Sequence, residues 1–216
     1  MHYDAIANTH GLKRDPLKAL AVPRPIGWIS TQSKAGVLNL APYSFFNCVS
    51  EKPAYVVFGT AGIKDSLANI QETGEFVCSM ATYDLRNEMN MTSAMVPREI
   101  DEFPLSGLTP AQSKFVKPPR VKESPAAFEC QHWKTVELPG VPGMGPRDDY
   151  YLVIGLVVGI YIDDTFIKDG IVDTPAMQPI ARLGYMDYSV VRPDTIFTIE
   201  RPAVAEAMAR LQKTGT

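Results

Sequence analysis

Proline interrupts this chain too often for a helical protein. Eighteen prolines are spread over 216 residues. Each removes a backbone donor and fixes φ, so long helices are excluded over most of the length. Six of them, Pro97, Pro104, Pro110, Pro118, Pro119 and Pro125, fall within residues 96–125. That stretch reads as an irregular excursion lying over the body of one domain, residues 1–216, with 193–216 as a C-terminal extension. What survives between the prolines is mostly strand-like. Two long runs, AAFECQHWKTVEL (126–138) and YYLVIGLVVGIYID (150–163), flank PGVPGMGPRDD (139–149), which reads as an exposed, flexible loop. The second run is apolar almost throughout, which predicts a strand buried on both faces.

The shorter elements agree. PIGWISTQ (25–32) reads as a strand, followed by a hairpin turn over 33–36 in which Gly36 takes positive φ. Residues 37–49 resume extended structure, broken by Pro42, which argues for a sheet edge or a bulge there. Residues 54–60 form a short buried strand and 75–81 another. Between them, Leu67 and Ile70 have helical spacing over 64–73, with Asp65 as the expected N-cap and Gly74 just past the end. Residues 83–95 read as a further helix. No regular βαβ alternation is present, so the predicted fold is mainly β: a closed or partly closed barrel with a few short helices.

Composition narrows the function. Hydrophobic residues are 45% and charged residues 21%, enough apolar material for a sizeable core. A net charge of −3 advertises no nucleic-acid partner, so an anionic ligand would need a local cluster of donors. No run approaches the roughly 20 apolar residues that span a bilayer, and the start lacks a signal-peptide pattern, so no membrane association and a cytoplasmic location are expected. Cys48, Cys78 and Cys130 are odd in number, far apart and set in apolar runs, which predicts buried reduced thiols. They share no metal-ligand spacing with His2, His10 or His132. His132 reads as a packed or solvated histidine. Asp148-Asp149 and Asp163-Asp164 read as solvated ends. No Ser/His/Asp set is present, so no catalytic side chain and no metal ligand is assigned.

Three segments carry possible binding chemistry. Residues 24–50 mix Ser30, Thr31, Ser33, Ser44 and Asn39 with Trp28, Tyr43, Phe45 and Phe46. A strand broken at Ala41-Pro42 leaves backbone groups without ladder partners, as a flat heterocycle with polar edges requires. An ordinary hairpin with an irregular edge explains the same composition. In GTAGIKDSLANI (59–70), a helix opening at Lys64-Asp65-Ser66 offers free N–H groups and a cation to a phosphate. A capped surface helix with a solvated lysine explains it equally. In PIARLGYMDYS (179–189), Arg182 stands near two tyrosines, either as a phosphate or ring contact or as a surface arginine.

The order of the segments says more than any one of them. RPIGWIST, GVLNLAPYS, EKPAYVVFG and KDSLANIQETGEFVCSM follow one another, then MNMTSAMVP (89–97), DEFPLSGLTP (101–110), VKESPAAFEC (121–130) and ARLGYMDY (181–188). This collinear set resembles the flavin-reductase-like, FMN-binding split-barrel family, which includes flavoredoxin-like proteins. The resemblance implies a six-stranded FMN-binding split β-barrel that forms a homodimer, with FMN at or near the subunit interface. It implies that Ser30 and Thr31 lie near the phosphate and ribityl chain, and that Asn39, Ala41, Pro42, Tyr43 and Ser44 line the isoalloxazine edge. Phe46, Asn47 and Cys48 would continue that wall, and Trp28 or Phe46 would cover a ring face. Lys64, Asp65 and Ser66 match the phosphate-side segment. Arg182 and Tyr188 match a late element, in which Tyr185 stands where a second glycine is usual. The implied activity is an FMN-dependent oxidoreductase: NAD(P)H or another small-molecule donor reduces the flavin, which passes electrons to a second acceptor. A non-catalytic FMN electron carrier serving protein partners is the alternative, and a flavin-free structural or sensor module a third.

Overall fold

The computed structural model describes residues 1–142, 149–205 and 208–209. Its strands, in chain order, are β1 (Arg24–Pro25), β2 (Gly27–Gln32), β3 (Leu38–Tyr43), β4 (Phe46–Glu51), β5 (Ala54–Ala61), β6 (Glu75–Met80) and β7 (Pro110–Ala111). They continue with β8 (Arg120–Val121), β9 (Ala126–Leu138), β10 (Tyr150–Ile162), β11 (Ile167–Lys168), β12 (Ile171–Val172), β13 (Ile180–Arg182) and β14 (Tyr188–Val190). The helices are α1 (Leu17–Leu20), α2 (Asp65–Thr73), α3 (Arg86–Met91), α4 (Glu102–Leu105) and α5 (Thr174–Met177).

Seven strands form the main sheet in the order β3-β2-β6-β9-β10-β5-β4, and every pairing is antiparallel. Only Ser44 and Phe45 separate β3 from β4, yet these strands occupy opposite edges. The bend at this point carries the chain from one edge to the other and curls the sheet into a barrel. The Phe45 carbonyl accepts from the Gly59 N–H at 2.7 Å, holding the bend against β5. This accounts for seven strands where six were expected: the 37–49 run breaks in two just after Pro42.

The hairpin between β2 and β3 closes as read, with Gly36 at φ 88 and its N–H on the Ser33 carbonyl. Helix α2 also ends as read, on Gly74 at φ 77. Its start differs. Lys64, in an extended conformation, is the N-cap and supplies no side-chain bond. Asp65 is therefore one residue too far along to cap, and its carboxylate lies 3.6 Å from Arg98 instead. The helix read over 83–95 is confined to α3, because the chain leaves it at Thr92 to border the groove described below.

Two large clusters and a small one, Val77 with Val116 and Ala127, make the core. Ile29, Val56, Phe58, Leu67, Ile70, Phe76, Cys130 and Val153 fill the barrel. Trp28, Leu40, Met89, Phe103, Leu108 and Val121 pack outside it. The second cluster is the 96–125 excursion laid against the outer face of β2, which is why β2 is buried on both faces. The Ser30 hydroxyl donates to the Pro119 carbonyl and the Val121 N–H to Ser79 Oγ, tying the excursion down.

β10 departs from its reading. Val153, Gly155 and Gly159 are buried, but most of the strand is half-buried and Ile160 is 61% exposed. Apolar sequence records what a face prefers, not whether one chain covers it. Register shifts fall beside Gly155 and Gly159, where missing side chains let aromatic rings lie on the strand. Cys48 is also exposed, because β4 is an edge strand, whereas Cys78 and Cys130 are buried. His132 is partly buried, bonded through Nε2 to Thr135, and burial lowers its pKa. Residues 143–148 of the 139–149 loop lie outside the described residues. Among the described residues, no helix is long and apolar enough to cross a membrane.

Candidate functional site

A groove of about 480 Å³ runs between β3, the end of β5, the start of α2, the 92–96 loop and α4. Eight of the expected residues line it: Asn39, Ala41, Pro42, Tyr43 and Ser44 from β3 and the bend, and Lys64, Asp65 and Ser66 from α2. Two segments of different secondary structure, about twenty residues apart in sequence, thus line one cavity.

The wall behind the groove is a hydrogen-bonded network. Ser66 Oγ donates to Asn39 Oδ1 at 2.7 Å, and Asn39 Nδ2 donates to Glu102 Oε1 at 3.1 Å. The Leu40 N–H donates to Glu102 Oε2 at 2.9 Å. Thr31, fully buried, accepts from Asn69 Nδ2 at 3.0 Å, and Arg98 bonds Asn69 Oδ1 at 2.9 Å. Each member of this chain fixes the next, so the Asn39 amide has one orientation. Tyr43 is held above its usual pKa by burial, opposed by hydrogen bonds to Ser66 and Thr60. In contrast, the Lys64 ammonium has no hydrogen bond or ion pair among the described residues.

Other expected residues lie elsewhere. Trp28 is fully buried in the outer cluster, with Nε1 donating to Thr92 Oγ1 at 2.9 Å, so it presents no face to a ligand. Ser30 faces the excursion, and Thr31 stands behind Asn39 as a support. Phe46, Asn47 and Cys48 line a second, apolar groove of about 280 Å³ with Ile26, Met80 and Phe128. Arg182, on the separate β1-β13-β14 sheet, bonds the Tyr188 hydroxyl and the Tyr185 carbonyl and is not among the residues that line the first groove.

Gly59 and Thr60 of the 59–70 segment line the groove too, as do Glu102, Lys18, Tyr150 and the Thr92–Val96 loop, which were not assigned to a site from sequence. Glu102 is the most telling. Asp101 caps α4 by accepting from the Phe103 N–H, which directs the next carboxylate inward. A four-residue helix has too short a pattern to show this.

Glu102 is 5% exposed, and burial raises its pKa above the usual carboxylate range, while the Leu40 N–H and the Asn39 amide pull it back. The native chain therefore binds its proton more tightly than the unfolded chain. The stability this contributes is present below the unfolded value and is lost as pH rises through the raised folded one. Glu102→Gln is expected to flatten this slope, so that the stability difference between wild type and variant changes as pH rises above the ordinary glutamate value of about 4.3. Urea midpoints measured through that range check this. Parallel curves would remove Glu102 as the titrating group.

Barrel and groove together define a class: split-barrel proteins with a cavity of cofactor size. The chain belongs to the flavin reductase like domain family, which it matches over residues 19–180. It is 39% identical over 171 residues to an uncharacterized protein of Aquifex aeolicus, covering 76% of this chain and 83% of that one. Nitrilotriacetate monooxygenase component B from Bacillus cereus superposes with a TM-score of 0.80 at 29% identity, covering 92% of this chain and 98% of that one. The 2-nitrobenzoate 2-nitroreductase NbaA of Pseudomonas fluorescens gives 0.80 at 25% identity, over 94% of this chain and all of the other (100%).

Proposed function

We propose that this protein is an FMN-dependent oxidoreductase in which NAD(P)H reduces the bound flavin and a second acceptor reoxidises it. The observation that carries the reading is that Ser44 and Lys64 border one continuous groove. Its volume of about 480 Å³ falls in the range of small-ligand and cofactor sites. An unpaired lysine beside the N–H groups that open α2 fits a phosphate.

Bound FMN would supply hydride and single-electron chemistry, so the protein needs no acid or base of its own for that step. Lys64, Ser66 and the first turn of α2 would hold the phosphate. Asn39, Ala41, Pro42, Tyr43 and Ser44 would border the ring. Donors fixed in advance favour negative charge on whatever they face, because nothing must reorganise when it forms. Thr31, Asn69 and Arg98 act one layer back by fixing Asn39.

A homodimer fits the same reading. Val49, Trp133 and Ile160 are 59%, 60% and 61% exposed, and Trp133 meets Tyr55 edge to face across the sheet. Apolar surface of this kind favours a partner. The expected setting is the cytoplasm.

The test is an absorbance spectrum of protein loaded with FMN, followed by anaerobic NADH and NADPH. Flavin absorbance that bleaches with either nucleotide is the expected result. A protein that takes up no FMN ends the proposal. Uptake without bleaching leaves the electron carrier in its place.

A further inference from the structure

The end of the groove near the bend carries positive charge that the flavin reading does not use. Lys18 of α1 lines the groove, and its Nζ lies 5.9 Å from the centroid of the Phe45 ring. The Arg24 guanidinium lies 5.7 Å from the same centroid. Arg24 is itself 9% exposed and spends both terminal nitrogens on the carbonyls of Lys18, Ala21 and Leu183, leaving Nε buried with no partner. Across the small β1-β13-β14 sheet, its register partner is Arg182.

Lys18 and Arg24 therefore meet at Phe45, with Arg182 beside Arg24 and bonded to Tyr188 and Tyr185, and among the described residues none of the three is in an ion pair. Burial lowers the Arg24 pKa, and the neighbouring Arg182 charge lowers it further. Like charges gathered without a counter-charge are unfavourable in the free protein. An anion that binds among them relieves that cost, and so is bound more tightly than by a solvated lysine. The chain as a whole is acidic, with a net charge of −3, so this is a local feature and not part of a general basic surface.

We propose that the Lys18–Arg24–Arg182 cluster holds the phosphate groups of the dinucleotide that reduces the flavin. This rests on the oxidoreductase reading and adds a place for the second ligand. Lys64 serves the cofactor phosphate on the wall formed by α2, while Lys18 serves the reductant at the Phe45 bend. Arg24 is a positioning residue, since its bonds to three carbonyls fix the Lys18 backbone and the β13–β14 turn. Lys18 is exposed and offers the contact that a substitution can remove without disturbing packing.

The test compares wild type with Lys18→Glu and Lys18→Arg, all loaded with FMN. Two reductants are used, NADPH and the neutral 1-benzyl-1,4-dihydronicotinamide, which has no phosphate. In Lys18→Glu, the ratio of kcat/KM for NADPH to that for the neutral donor is expected to fall about tenfold, equivalent to about 1.4 kcal/mol. Lys18→Arg is expected to keep the ratio. Equilibrium dialysis with NADP⁺, which transfers no hydride, is expected to show the same loss of binding in Lys18→Glu. That loss should shrink in high salt, where screening already weakens the wild type. An unchanged ratio together with unchanged NADP⁺ binding overturns the proposal. FMN uptake, followed separately by fluorescence, distinguishes this from failure of the reading beneath it: a wild type that takes up no FMN overturns both.

Discussion

Lys64→Glu is expected to weaken FMN binding by about 10- to 150-fold while leaving the melting temperature unchanged or slightly higher. The first effect follows from losing one charge-assisted contact to a phosphate, worth about 1.5–3 kcal/mol. The second has the opposite sign for a local reason. Lys64 is the N-cap of α2, with no partner of its own among the described residues, so its removal breaks no contact in the free protein. A carboxylate at that end of a helix is favourable by about 0.3–1 kcal/mol. Affinity and stability should therefore separate, which a merely damaged fold would not produce. Flavin fluorescence titration gives the affinity, and thermal unfolding without flavin gives the stability. If affinity is unchanged, the phosphate sits elsewhere. If both fall together, Lys64 is a structural residue.

The largest stability effects are expected where β10 passes over Phe76. A Cβ added at Gly155 would stand 2.3 Å from Phe76 Cζ and 2.6 Å from Cε1. Phe76 is fully buried in the barrel, edge to face with Phe58 at 5.8 Å, so its ring has no open direction in which to move. Gly155→Ala should cost about 1–3 kcal/mol through overpacking. Phe76→Ala should cost about 3–5 kcal/mol through the lost ring and the cavity left behind. In a chain of this size, that larger cost lowers the melting temperature by about 6–20 °C. The double variant should be less unstable than the sum of the two, because the new methyl enters the space the ring vacated. Additive costs would mean that the two residues do not share this contact in solution.

Much of the fold was legible because it rests on local signals. Gly36 and Gly74 occupy left-handed positions that other residues resist, and both mark the ends that the sequence assigned them. The prolines of 96–125 did exclude regular structure there, apart from α4 and the two-residue strands β7 and β8. The groove was half legible. The extended run broken at Pro42 placed β3, and the opening of a helix placed Lys64 to Ser66, but nothing local states that the two converge. Only the ordered series of segments implied it.

What was missed depended on contacts between distant residues. Trp28 was read as a ligand-facing aromatic, whereas the excursion some seventy to ninety residues later covers it with Phe103 and Val121. Glu102 looks in sequence like any acid at a helix start, and becomes a groove residue only through Asn39 and Leu40. Asp65 was misplaced by one position, the difference between a cap and a first-turn residue. Cys48 sits in an apolar run on an edge strand whose outer side this chain leaves open.

The pairing of β5 with β10 governs when such a protein can begin to work. Ala61 waits for Tyr150, synthesised 89 residues later (150 − 61), and long-range pairings of this kind slow folding. Until the final third of the polypeptide has emerged from the ribosome, β5 has no neighbour on that flank and Tyr150 is missing from the cavity rim. The groove therefore cannot close before β10 has been made, and a chain ending ahead of Tyr150 would lack both the partner of β5 and that part of the rim.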